Sequence, residues 1–168
     1  SKFSSNKSLT RPEVVEKLSE RGFLPAIFFI FSRAGCDGAV ASCIREGLSL
    51  TNSLEKEEIR RVIALKTHEL PSEDFGVLGF HEWAQALERG IAAHHAGLLP
   101  MFKETIEELF QRGLLKIVFA TEPLALGFNM PARSVVLEKL VKWNGESHVN
   151  VSPGEYTQLT GRAGRRGI

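Results

Sequence analysis

Near the end of the chain, in "QLTGRAGRRG", Gln158, Arg162 and Arg165 stand four and three residues apart. On an α-helix that spacing puts all three on one face. A guanidinium keeps its charge and matches phosphate oxygens two at a time, so two such forks a turn apart suit the terminal group of a triphosphate. The preceding "SPGE" predicts where such a helix begins: Ser152 as N-cap, Pro153 at the first helical position and Glu155 closing a capping box. Tyr156, Leu159 and Ala163 would then form the inward face. Gly154, Gly161 and Gly164 each cost about 1 kcal/mol relative to Ala inside a helix, so a segment kept only for charge would not need them. Close approach of a backbone would explain them. The rival reading of the same residues is a disordered basic tail.

Three further stretches carry residues suited to a sugar-phosphate backbone: Ser32 and Arg33, the "HHAG" of His94 to Gly97, and "TEPLALGFN" from Thr121 to Asn129. Small hydroxyls, a histidine and helix N-terminal amides hold phosphates without reading bases. Ser32, Arg33, His95 and Thr121 fit that role. His94 and His95 could instead be a metal pair, but no second cluster of ligand spacing accompanies them, and His94 alone reads as structural.

These residues need a scaffold, and the apolar pattern supplies one. "AIFFIF", Ala26 to Phe31, is six apolar residues without alternation, as in a strand buried on both faces. "IAAHHAG", "LLKIVFAT" and "SVVLEKLV" are the other strand candidates. Between them lie helical patterns. "RPEVVEKLSERG" has Thr10 as cap, Val14, Val15 and Leu18 as its stripe and Gly22 as its stop. "AGCDGAVASCIREG", "EKEEIRRVIALKTHEL" and "HEWAQALERG" read as helices, and Pro71 to Gly79 as a loop. "LLPMFKETIEELFQRG" starts at Pro100, buries Phe102, Ile106, Leu109 and Phe110, and stops at Gly113. Strands separated by helices imply parallel pairing, so the predicted class is α/β with a mostly parallel sheet. Such sheets place ligands at the carboxyl ends of their strands, which is where Ser32 and Arg33, "HHAG" and "TEPLALGFN" fall.

Composition narrows the partners. With 21 basic and 20 acidic residues the net charge is +1, so any grip on nucleic acid comes from local cations rather than a whole-molecule field. Cys36 and Cys43 are seven apart in a helical segment, about two turns and beyond disulfide reach, so both are expected as buried thiols. No apolar run reaches the roughly 18 residues of a membrane span, and "SKFSSNKSLT" has no signal-peptide core. The expectation is a cytoplasmic protein with no membrane partner.

Taken together the motifs resemble the second RecA-like (helicase C-terminal) domain of superfamily two helicases, particularly the superkiller-type DExH-box RNA helicases. "QLTGRAGRRG" matches motif VI, "ATEPLALGFNMP" motif V, "FSRAG" the motif IV region and "HHAGLLP" the turn before the long helix. The resemblance covers residues 25–168, leaving 1–24 as a leader segment with a short helix, and implies a RecA-like three-layer fold. "KWNGESHVNVSPGEY" looks like the superkiller-type insertion, which favours RNA over DNA. By position, the resemblance implies that Arg162 and Arg165 contact the ATP γ-phosphate, with Arg165 as arginine finger. Gln158 would order nucleotide or attacking water, and Gly127 and Asn129 would lie near phosphate and ribose. Ser32, Arg33, His95, Thr121 and Glu122 would line the path of single-stranded RNA. The role of Arg166 stays open. Pro123 departs from the family's usual small or hydroxyl residue and removes an amide donor there.

No Gly is followed by Lys and no Asp by Glu, so the phosphate-cradling loop and the DExH box are both missing from this chain. ATP and Mg2+ would therefore be held mainly by a first RecA-like domain of the same protein. This domain alone is expected to bind neither stably and not to hydrolyse ATP. The resemblance also implies a further strand and further domains beyond Ile168. The other readings are a non-catalytic nucleic-acid or protein-binding module of helicase ancestry, a DNA helicase motor half, and a doubly wound small-molecule enzyme. The last lacks a G-x-G-x-x-G after any strand.

Overall fold

The computed structural model describes residues 9–122, 131–143, 146–150 and 156–158. Helix α1 (Arg11–Glu20) starts at the expected Thr10 cap, which proves to be half of a full capping box: the Thr10 hydroxyl accepts from the Glu13 amide and the Glu13 carboxylate accepts from the Thr10 amide. Its stripe of Val14, Val15 and Leu18 is fully buried. Strand β1 (Ala26–Phe29) follows, then α2 (Arg33–Arg45), α3 (Ser53–Thr67), α4 (Phe75–Leu78), α5 (Phe80–Glu88), β2 (Ile91–His94), α6 (Pro100–Gln111), β3 (Ile117–Ala120) and β4 (Ser134–Leu137). Three strands complete the chain order: β5 (Lys139–Trp143), β6 (Glu146–Asn150) and β7 (Tyr156–Gln158).

The main sheet runs β2-β3-β1-β4-β7, its first four strands parallel and β7 antiparallel to β4. Side chains alternate across it, and that alternation builds the two outer layers. Ala26 and Phe28 of β1, and Ile30 just beyond it, pack with α1 and α2, alongside Ile117 and Phe119 of β3. Ile27 and Phe29 face the opposite way, toward α3, α5 and α6, with Val118 and Ala120. The central strands β1 and β3 are thus apolar on both sides because a helical layer covers each side. The α/β class with a mostly parallel sheet inferred from the apolar runs is the one observed, and helices lie on both faces of the sheet, as the three-layer fold implied by the resemblance requires.

Three expectations need correction. The loop assigned to residues 71–79 contains a 3-10 turn (Ser72–Asp74) and the short helix α4. Phe75, stacked on Phe80 with ring centroids 4.3 Å apart, gives that segment an apolar anchor. The single strand expected over "SVVLEKLV" is divided: β4 ends at Leu137, Glu138 turns inward, and β5 pairs with β6 in a separate two-stranded sheet. Finally, Tyr156, Thr157 and Gln158 form strand β7 rather than the first turn of a helix, with Gln158 opposite Ser134. Without β7, β4 would be an edge strand with open hydrogen-bonding groups, and an aromatic and a β-branched residue are well suited to closing it. Tertiary pairing outweighs the local capping pattern. Ser152 to Glu155 themselves lie outside the described residues.

Candidate nucleic-acid interface

Parallel pairing in register sets the carboxyl ends of the strands level. His94 lies opposite Ala120, Ala120 opposite Phe29, and Phe29 opposite Leu137. The residues one step further, His95, Thr121, Ile30 and Glu138, therefore begin a common rim. Ser32 and Arg33, His95 to Gly97, and Thr121 and Glu122 all leave the sheet at this rim, as the sequence spacing required.

The β1–α2 connection is built tightly. Ser32 is the N-cap of α2, its hydroxyl oxygen accepting from the Gly35 amide at 2.8 Å. A Cβ on Gly35 would come within 2.6 Å of Ile30 Cγ2 and 2.7 Å of Ser32 Oγ, so the turn closes only over a glycine. Arg33, the first residue of α2, is exposed. Its Cδ lies 3.7 Å from where a Gly97 Cβ would be, which brings the motif IV arginine against the "HHAG" turn.

His95 is placed at the rim but turned inward, with 6% exposure. Its Nδ1 accepts from the Gly97 amide at 3.0 Å, which leaves Nε2–H to donate to Asp37 Oδ1 at 2.9 Å. Both ring nitrogens are thereby committed, and the histidine fixes the 95–97 turn and ties it to α2. His94 points elsewhere: its Nε2 meets Glu107 Oε2 at 2.8 Å, and its buried Nδ1 has no partner among the described residues. The two imidazoles diverge to different carboxylates. Among the described residues no group of three or more His, Cys, Asp or Glu is placed to hold a metal ion. Thr121 is half-buried, its amide reaching the His94 carbonyl at 3.4 Å, and Glu122 is exposed.

A contact that sequence reasoning missed braces this rim from behind. Arg11 of α1 donates twice to Glu138, Nε to Oε2 and Nη2 to Oε1, each at 2.8 Å. Its Nη1 reaches the Gly35 carbonyl at 3.4 Å. The hydrogen bond to Glu138 raises the Arg11 pKa against the opposing effect of burial. One guanidinium thus joins α1, the end of β4 and the Ser32–Gly35 turn. Nothing in the sequence links residues 127 apart; the only signal was a charged residue, Glu138, inside an apolar run. Nearby, Cys36 and Cys43 are buried free thiols, and burial pushes both up to about 12. Gly127, Asn129, Arg162 and Arg165 lie outside the described residues. Of Gln158, only the strand position is described.

The chain matches the helicase conserved C-terminal domain over residues 48–167. It belongs to that family. Within the helicase C-terminal family it is 62% identical over 158 residues to the probable helicase HelY of Mycobacterium tuberculosis, covering 94% of this chain and 17% of HelY. It is 50% identical over 152 residues to the chloroplastic DExH-box ATP-dependent RNA helicase DExH15 of Arabidopsis thaliana, covering 90% of this chain and 12% of that protein. Against the antiviral helicase SKI2 of Saccharomyces cerevisiae the identity is 42% over 159 residues, covering 95% and 12%. The chain therefore spans less than a fifth of the length of the curated relatives it matches. The resemblance drawn from motifs IV, V and VI is the relationship found. No helix among the described residues is long and apolar enough to cross a membrane.

Proposed function

We propose that this helicase C-terminal domain is the second half of an ATP-driven RNA motor. It closes on an ATP-bearing first RecA-like domain and on single-stranded RNA, then reopens after hydrolysis to step along the strand. The observation that carries this reading is the level rim, where Ser32, Arg33, the His95–Gly97 turn, Thr121 and Glu122 meet at the carboxyl ends of three adjacent parallel strands. Ligands of open α/β sheets bind along that edge.

In this mechanism the α2 N-terminus, with Arg33 beside it, meets RNA phosphates through amides and a guanidinium. Ser32 holds the α2 turn and His95 holds the 95–97 turn, so both act chiefly by positioning. Thr121 supplies a hydroxyl. Glu122, an acceptor and not a cation, suits a ribose hydroxyl better than a phosphate. On the nucleotide side, the proposed roles are Arg165 as arginine finger, Arg162 as a second contact to the γ-phosphate, Gln158 as the group that orders the nucleotide or attacking water, and Gly127 and Asn129 as contacts to phosphate and ribose. The first domain holds Mg2+ and cradles the triphosphate. Phosphoryl transfer needs those parts as well as the arginine, so the chain alone does not hydrolyse ATP.

The test is ATPase and unwinding by the complete helicase, stimulated in parallel with RNA and DNA carrying overhangs of either polarity. Stimulation by RNA supports the reading; stimulation by DNA alone overturns the RNA assignment.

A further inference from the structure

One side chain at the rim is unexplained by phosphate contacts. Phe31 follows the buried Ile30 and precedes the capping Ser32, yet it is 73% exposed. Other exposed apolar side chains, such as Leu54, Leu65 and Val77, stand on helices, where single ones are ordinary. Phe31 stands instead on the strand-to-helix turn, next to Arg33.

Its exposure is enforced by its neighbours. The Ile30 amide donates to the Ala120 carbonyl at 3.0 Å, and Ile30 packs into the core at 2% exposure. On the other side, Ser32 is held by its bond to the Gly35 amide, and Gly35 leaves no room for the turn to shift. The backbone is pinned on both sides of Phe31, so the ring cannot fold inward without breaking a strand bond or a helix cap. Across the rim, Leu137 at the end of the neighbouring β4 is 50% exposed and adds a second apolar group. An exposed aromatic ring on the turn that leads into a helix N-terminus, two residues before an exposed arginine, is an arrangement that supports a single-stranded base, with the ring under its face and the amides on its phosphate.

We infer that Phe31 is a stacking platform for one nucleobase of the bound single strand, fixing the register of the backbone on the Ser32–Arg33 turn. This rests on the RNA-motor reading and adds to it a contact that every base can satisfy, since each has a π-face. The ring gives grip without sequence preference.

The test uses the complete helicase as wild type, Phe31→Ala and Phe31→Trp, binding a single-stranded RNA whose bases are removed one position at a time. Because Phe31 is exposed, Phe31→Ala leaves the fold intact. Loss of one stacked base weakens binding of intact RNA by about 5- to 150-fold, and Phe31→Trp restores it to within about threefold of wild type. At one abasic position wild type and Phe31→Ala bind equally, because the base that Phe31 would stack on is gone. Binding of intact RNA by Phe31→Ala within twofold of wild type overturns the inference. So does a loss of the same size at every abasic position, which would place Phe31 against another part of the protein. If no RNA stimulates the wild-type ATPase, the motor reading itself falls; if RNA stimulates wild type and Phe31→Ala is unaffected, only the stacking assignment falls.

Discussion

Replacing either partner of the Arg11–Glu138 pair tests how the rim is braced, and the burial of the two groups sets the order of the effects. The Glu138 side chain is 1% exposed and that of Arg11 22%, with two hydrogen bonds of 2.8 Å between them. Breaking a buried pair by deleting one partner costs about 3–5 kcal/mol, mostly from the charge left unpaired. Arg11→Leu strands a carboxylate with almost no access to water and should cost close to that range. Glu138→Leu strands a guanidinium that still reaches solvent and the Gly35 carbonyl, so about 1–3 kcal/mol is expected. For a chain of this size each kcal/mol lowers Tm by about 2–4 °C. Arg11→Leu should therefore melt roughly 6–20 °C lower and Glu138→Leu roughly 2–12 °C lower. The double variant should be destabilised by less than the sum, since neither charge remains unpaired. Circular dichroism melts and urea titrations of the four proteins read this directly. An additive double variant, or Glu138→Leu falling further than Arg11→Leu, would refute the account of the brace.

Other outcomes follow from the same geometry. Gly35→Ala forces a Cβ to 2.6 Å from Ile30 Cγ2 and should cost about 1–3 kcal/mol; a melt unchanged from wild type would show that the turn has room. Ser32→Ala removes the α2 cap and should cost about 1 kcal/mol by urea titration, whereas no loss would mean the Ser32–Gly35 bond adds nothing. In long-range nitrogen–proton NMR spectra the neutral His95 ring should carry its proton on Nε2; a proton on Nδ1 would contradict the Gly97 contact. Cys36 and Cys43, pushed up to about 12 by burial, should react with a thiol reagent at pH 8 only after unfolding. The ordinary thiol value is about 8.5, so above it the unfolded chain releases protons that the folded chain keeps. Stability should then fall as pH rises from about 8.5 toward 12, and less steeply in a Cys36→Ala, Cys43→Ala variant.

The scaffold was legible because it rests on local signals. Ala26–Phe29 and Ile117–Ala120 are uninterrupted apolar runs, and Pro100 and the Phe102/Ile106/Leu109/Phe110 stripe mark α6 without reference to anything distant. The α1 capping box is likewise local. Contacts between remote residues were not legible: Arg11 with Glu138, or His95 with Asp37, 58 positions apart. Those depend on which strands lie side by side, and the order β2-β3-β1-β4 is a property of the folded sheet. The β5–β6 hairpin did have a signal, since Asn144-Gly145 separates the two strands and is a favoured hairpin dipeptide. In the sequence that dipeptide falls within "KWNGESHVNVSPGEY", the segment that resembles the superkiller-type insertion. Strand β7 shows the opposite failure, a good local helix start overridden by the free edge of β4.

In the proposed motor this domain supplies the arginine that stabilises the charge developing as the ATP γ-phosphoryl group is transferred. The decisive assay is RNA-stimulated ATPase of the complete helicase carrying Arg165→Ala, with RNA affinity measured alongside. The account expects kcat to fall by about 10³ to 10⁵ while RNA binding without nucleotide stays within a few-fold of wild type; an unchanged kcat would contradict it.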